Sequence, residues 1–236
     1  MSMFQSEKVS CPSCGNAVDF TVVYSVNADR RPDLRAAIID SSFQRQDCPA
    51  CGKTFRLEPE MTYIHVAGKQ WILCQPFSKI VAWNELEEQA RSTFALAYGP
   101  TVSRGAQAIG RDLQVRITFG WAALREKLVC AQRGLDDVTL DLLKFALLRD
   151  LDDSPLADDT ELRLVDIQED LIVLAWIQAA TERFVETLEV PRELYDDIVA
   201  DQAGWQDLRT ELSAGPFVDL RRLLVQPVQI DVETGG

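Results

Sequence analysis

Two copies of one short pattern, Cys11-Pro12-Ser13-Cys14-Gly15 and Cys48-Pro49-Ala50-Cys51-Gly52, constrain this chain more than any other feature in it. Each copy presents two thiols at the C-x-x-C spacing of a metal-binding knuckle. In each, the proline stiffens the residue after the first thiol. The glycine after the second permits a positive-φ turn that aims backbone N–H groups at the sulfurs. Four thiolates around Zn²⁺ leave a net negative charge, so those donors are a needed second shell. The pattern predicts that Cys11, Cys14, Cys48 and Cys51 bind one structural zinc ion per chain.

Other uses of the four thiols fit less well. A redox C-x-x-C normally comes singly near a βαβ pattern, whereas here the two copies share flanking proline and glycine. Disulfides require an oxidising compartment. The polar stretch Gln5-Ser6-Glu7-Lys8 stands where a signal peptide would place its apolar region, and a cytoplasmic protein is expected. Cys74 and Cys130 lie alone in apolar surroundings and read as small buried hydrophobes.

With 236 residues, 47% of them hydrophobic, the chain can build real cores without relying wholly on a metal. A net charge of −13 repels phosphate backbones and anionic lipid surfaces, which disfavours nucleic acid as a partner. No apolar run reaches the ~18 residues of a membrane-spanning helix.

Taken in order, residues 1–10 read as a polar lead into the first knuckle. Residues 17–26 are β-branched and aromatic enough for a strand, and Pro32 opens a short helix whose Leu34 and Ile38, with Phe43, cover the ribbon. Strands are predicted at 53–57, 63–66 and 71–74, stapled by the metal into a zinc-ribbon-like sheet. Residues 83–98 switch to a helical period through Leu86, Ala90, Phe94 and Ala97, and Gly99-Pro100 stops it. A strand over 113–119 precedes a helix over 121–133 that carries Leu124 and Leu128. Asp136 or Asp137 caps the next helix, over 138–149, antiparallel to the first. Residues 150–159 read as an acidic exposed loop. Strands follow over 161–167, 171–177 and 184–188, then helices from Pro191 and from Trp205, and a frayed C-terminus. The expected fold is α+β: a zinc-ribbon-like β domain with a helical insert over 1–82, and an α+β C-terminal lobe over 83–236. That lobe holds a helix pair at about 121–149, strands at about 161–188 and helices at about 191–213.

The paired C-P-x-C knuckles, the insert containing Val26-Asn27 and Pro32-x-Leu34, and the aromatic-rich sheet that follows resemble the CpXC-domain family of bacteria and archaea. Leu124-Arg125-Glu126-Lys127-Leu128, Gly134-Leu135-Asp136-Asp137 and Lys144 resemble the region that follows the knuckles in longer members. Asp40-Ser41-Ser42-Phe43 departs from the family, where a glycine-containing turn is expected. The resemblance implies a zinc-binding domain in a family without an established biochemical activity.

Catalytic zinc keeps an open position and uses histidine or carboxylate ligands, whereas four thiolates close the tetrahedron. His65 is the single imidazole and lies in an apolar alternation, as a packed strand residue does. Neither a phosphate-binding G-x-x-x-x-G-K-[ST] loop nor a dinucleotide-binding G-x-G-x-x-G is present. The pairs Asp136-Asp137, Asp152-Asp153, Asp158-Asp159 and Asp196-Asp197 read as caps and solvated faces, because adjacent helical positions diverge. No catalytic or organic-cofactor residue is therefore assigned. The expected function is a non-enzymatic, structural-zinc module for protein–protein interaction or assembly, with a protein partner or another copy of itself. Its tryptophans, Trp71, Trp83, Trp121, Trp176 and Trp205, are mostly core, with one or two left for an interface. The alternative is a nucleic-acid- or transcription-associated zinc ribbon, supported by Arg30, Arg31, Arg35, Arg45, Lys53 and Arg56. An unrecognised hydrolase or transferase would need a deep cleft with convergent polar groups.

Overall fold

The computed structural model describes residues 2–151, 159–179 and 181–227. It is α+β, as expected. Its first strand, β1 (Met3–Ser10), occupies the stretch read as a polar lead. Polar side chains are no obstacle there, because β1 is a sheet edge whose residues are nearly all exposed, and it forms an antiparallel hairpin with β2 (Ala17–Asn27). The first knuckle is the turn of this hairpin.

Pro32 then starts α1 (Pro32–Ile39), whose Ile38 is buried with Phe43 beside it. The turn after α1 departs from glycine as the sequence suggested: Ser41 takes φ +64°, and the Asp40 carboxylate accepts from the Ser42 N–H at 2.9 Å. A second, short hairpin, β3 (Arg45–Asp47) and β4 (Thr54–Arg56), carries the other knuckle at its turn. β5 (Met61–His65), β6 (Gln70–Gln75) and β7 (Gln114–Phe119) complete a five-stranded sheet of order β1-β2-β5-β6-β7. β2–β5 and β6–β7 are parallel and the other pairs antiparallel. β7 pairs with β6 although it lies beyond residue 83, so the hydrogen-bonded sheet runs across the boundary expected at residues 82/83. The helices α2 (Trp83–Tyr98) and α3 (Arg104–Arg111) form the crossover between those two parallel strands.

All six residues of β6 are buried because both faces of the sheet are covered there. Trp71 and Leu73 face the core under α2, while Ile72 and Cys74 face that of α4 (Gly120–Gln132). Gly120 makes the sharp strand-to-helix turn at φ +82°. α4 carries Leu124 and Leu128, as expected, but they are only part of its buried surface. It is buried almost all round, because it is wedged between two sheets: Trp121, Leu124 and Leu128 meet the five-stranded sheet, and Val129 and Cys130 meet a second core. Gly134, at φ +67°, ends it and leads into α5 (Asp137–Asp150), with Asp136 as N-cap accepting from the Thr139 N–H at 2.8 Å. The second core lies over an antiparallel sheet of order β10-β9-β8, formed by β8 (Thr160–Gln168), β9 (Leu171–Gln178) and β10 (Arg183–Pro191). α6 (Arg192–Ala200), α7 (Gln206–Leu212) and α8 (Arg221–Leu224) close the described chain. Most of the acidic loop at 150–159 and the expected frayed terminus lie outside the described residues.

Candidate metal centre

The two knuckles fold alike because they have the same local chemistry. In the first, Gly15 N donates to Cys11 O at 2.8 Å and Cys11 N to Asn16 O at 2.9 Å; in the second, Gly52 N donates to Cys48 O at 2.8 Å and Cys48 N to Lys53 O at 3.0 Å. Gly15 and Gly52 take φ +73° and +70°, the left-handed conformation expected of them. The turns face each other and bring the four sulfurs within 4.8 Å of one another. Cys11 Sγ lies 3.9 Å from Cys51 Sγ, and Cys14 Sγ 3.7 Å from Cys48 Sγ. Disulfide sulfurs sit about 2.05 Å apart, so these are free thiols gathered as a group that can hold a metal ion.

Cys11 and Cys48 are buried over a small core of Val18, Phe20 and Phe55, whereas Cys14 and Cys51 face solvent. Hydrogen bonds from the Asn16 backbone N–H and side-chain amide pull the Cys14 thiol down to about 6. At Cys51 the Lys53 backbone N–H favours the thiolate, but desolvation and hydrogen bonds with the other three thiols outweigh it and push the thiol up to about 11. A dication bound by the four sulfurs would take the place of their protons.

Hairpin β3–β4 is tied to the second sheet through one carboxylate. Glu182, in the turn between β9 and β10, receives Arg45 Nη2 at 2.7 Å and Arg56 Nη1 at 2.5 Å. The Arg56 guanidinium also stacks 4.2 Å above the Trp121 ring, whose Nε1 donates to Leu57 O at 2.7 Å. Between these groups and the first knuckle lies a cleft of about 300 Å³, lined by Pro12, Ser13, Arg56, Glu58 and Thr181. Arg31 pairs with Asp33, and an Arg35 Nη2 donates to Gln132 Oε1, so the basic residues noted in the sequence are largely engaged within the chain. His65 ends β5 with its Nε2 3.9 Å from Asp29 Oδ1, and partial burial lowers its pKa. Cys74 and Cys130 are fully buried hydrophobes, as expected, and burial pushes the Cys74 thiol up to about 12.

Pattern reading missed a second polar centre. Asp137 was read as a cap or solvated residue, yet only Asp136 caps. The Asp137 carboxylate is buried, 2.8 Å from Arg116 Nε and 3.0 Å from Lys127 Nζ. It begins a chain of ion pairs through the interior. Lys127 reaches Asp141; Lys144 Nζ bridges Asp141 Oδ1 at 3.0 Å and Glu126 Oε1 at 2.7 Å; Arg163 Nη1 bridges Glu126 Oε1 at 3.1 Å and Asp219 Oδ2 at 2.6 Å, and its other nitrogens bind Glu161. Burial opposes ionisation of Asp137, but Lys127 and Arg116 outweigh it and hold the carboxyl well below the usual carboxylate range. Arg163 and Lys144 do the same for Asp219. Glu126 and Lys144 belong to the stretch singled out by family resemblance, which was the one sequence feature pointing here.

No helix among the described residues is long and apolar enough to cross a membrane. Compared with known proteins, the chain matches a family model described as CpXC protein over residues 9–144, more than half its length. The matched span holds both knuckles, most of the five-stranded sheet, α4 and the first half of α5. No curated protein and no solved structure gave a match.

Proposed function

Because this chain belongs to the CpXC protein family, we propose that it is a non-enzymatic, structural-zinc protein whose metal-bearing hairpins shape a surface for a protein partner. The observation that carries this reading is the sulfur cage. A regular tetrahedron with Zn–S bonds of about 2.3 Å has sulfur–sulfur edges of about 3.8 Å, and the two short separations here are 3.9 and 3.7 Å. Zinc bound by Cys11, Cys14, Cys48 and Cys51 would fill its tetrahedron with protein ligands and lock the two hairpins together. That chemistry is structural, since a catalytic zinc keeps a position for water or substrate.

The metal fixes the wall of the cleft between the first knuckle and Glu182, so the shape of this surface follows metal occupancy. A reducing compartment such as the cytoplasm suits the free thiols. A nucleic-acid-binding ribbon needs its cations turned outward, whereas Arg45 and Arg56 are spent on Glu182 and Arg31 on Asp33.

The test is capture of tagged protein from host extract beside a Cys48→Ser variant, followed by reconstitution of the complex from purified components. A stoichiometric protein partner that the variant loses is the expected result. Recovery of nucleic acid in its place would favour the transcription-associated alternative, and a lone protein in both captures would remove the interaction reading.

A further inference from the structure

We infer that the groove between α5, α6 and the start of α7 docks a basic amphipathic helix of a protein partner, a second contact, apart from the metal-shaped cleft, that rests on the interaction-module reading. The groove has a volume of about 260 Å³. Its floor is Leu143, Leu147, Leu194, Ile198 and Trp205, and its rim carries Asp150, Asp197 and Asp201.

The groove follows from how α5 is packed. The first half of that helix, through Lys144, is buried on all sides, but residues 145–148 are half-buried and 149–150 exposed. α6 lies along this end of α5, and its own Leu194, 43% exposed, opens onto the trough between them. Trp205 is half-buried beside it, which makes it the tryptophan placed for an interface role.

The rim specifies the charge of the occupant. Arg192 pairs with Asp196 at 3.4 Å, one position short of Asp197, which has no cation partner among the described residues. Among the described residues Asp150 has only the exposed Arg149, at 3.3 Å. An apolar floor between two helices takes the side chains of a third at i, i+3/i+4 and i+7. Lysines or arginines flanking those anchors reach the carboxylates along their own aliphatic stems. A second copy of this chain brings a net charge of −13 and the same acidic rim, which opposes self-docking here.

The experiment titrates the full-length protein with two labelled synthetic helices of identical leucine placement. One carries lysine and the other glutamate on its polar face, and binding is read by anisotropy and tryptophan fluorescence. The lysine helix should bind at least about tenfold more tightly at low salt and lose that advantage at high salt. Asp150→Asn with Asp197→Asn, both exposed positions, should weaken it about tenfold, and Leu194→Glu should abolish binding. Circular dichroism verifies that the variants remain folded. Equal binding of the two helices, or unchanged affinity in the double asparagine variant, overturns the inference, as does a concentration-dependent dimer abolished by Leu194→Glu. The interaction-module reading fails separately: a captured partner that survives the asparagine changes removes the groove alone, and groove binding with no captured partner removes the module reading alone.

Discussion

In the candidate metal centre four sulfurs arrive from two turns, each built by a five-residue pattern. In the interior seam Arg116, Glu126, Lys127, Asp137, Asp141, Lys144, Arg163 and Asp219 arrive from β7, α4, α5, β8 and the segment before α8. Both regions gather groups that are costly to place together without a counter-charge. The knuckles gather four thiols, a group that a bound cation would compensate once they ionise, and they do so at the surface, where Cys14 and Cys51 stay exposed. The seam gathers opposite charges that compensate one another, and it does so where Glu126, Asp141 and Lys144 are at most 1% exposed. A local motif can specify the first arrangement because spacing alone aims the ligands. The second has no local rule, because each charge finds its partner only when separate elements pack.

The largest test of this contrast is Cys48→Ser. Metal bound per chain should fall from one equivalent to near zero, since apparent binding free energies of structural zinc reach about 10–16 kcal/mol and are also local folding energy. Elemental analysis reads the loss. Hydrogen exchange should show both knuckle hairpins losing protection while α4 and α5 keep theirs. A variant that holds a full equivalent with unchanged stability would break the four-ligand assignment.

Lys144→Met strikes the seam. Two buried carboxylates, Glu126 and Asp141, would lose their shared cation, at a cost of about 3–5 kcal/mol and a fall in Tm of about 10 °C. Urea denaturation followed by tryptophan fluorescence measures it, and metal content should be unchanged until the whole chain unfolds. A loss below about 1 kcal/mol would show the seam to be electrostatically slack.

Acid should reach the seam as well. Asp137, Asp219 and Glu126 have folded pKa values depressed below their unfolded ones, so their contribution is fully present above the ordinary carboxylate range. It is lost as pH falls below about 4 toward the folded values. Burial raises Asp141 and Glu161, which offsets part of this loss. Equilibrium unfolding across that range should show stability falling with acid, and Asp137→Asn should flatten the slope.

The smallest effect belongs to the link between the two regions. Glu182→Gln removes a carboxylate shared by Arg45 and Arg56, whose side chains are 38% and 6% exposed. A cost of about 1–2 kcal/mol is expected, together with faster hydrogen exchange in β3–β4 and unchanged metal stoichiometry. Equal exchange rates would show that Glu182 does not hold the knuckle hairpin to the second sheet.

The knuckles were legible down to the φ of Gly15 and Gly52, and helices with clear stops, such as the one ending at Gly99, lie close to where their pattern placed them. β1 was not legible. An exposed edge strand needs no apolar face, so its polarity resembled that of a lead segment. α4 was found with its buried Leu124 and Leu128, but its second covered side was not, because a helix between two sheets has no single apolar stripe to reveal its surroundings. α3 went unread although its eight residues are amphipathic and Ser103 caps it, because two turns between Gly99-Pro100 and the next strand resemble a loop.

By itself the sequence determined two matching C-x-x-C turns whose four thiols can serve a metal ion, α+β structure around them, and where many turns fall. These features depend on neighbouring residues and on backbone stereochemistry. Tertiary structure alone decided that β7 joins β6, that Glu182 ties the second hairpin to the far sheet, and that Asp137 is an interior ion and not a cap. Those outcomes depend on which charges and strands meet after distant segments pack, and the field at a carboxylate is set by what lies within a few ångströms in space, whatever its distance along the chain.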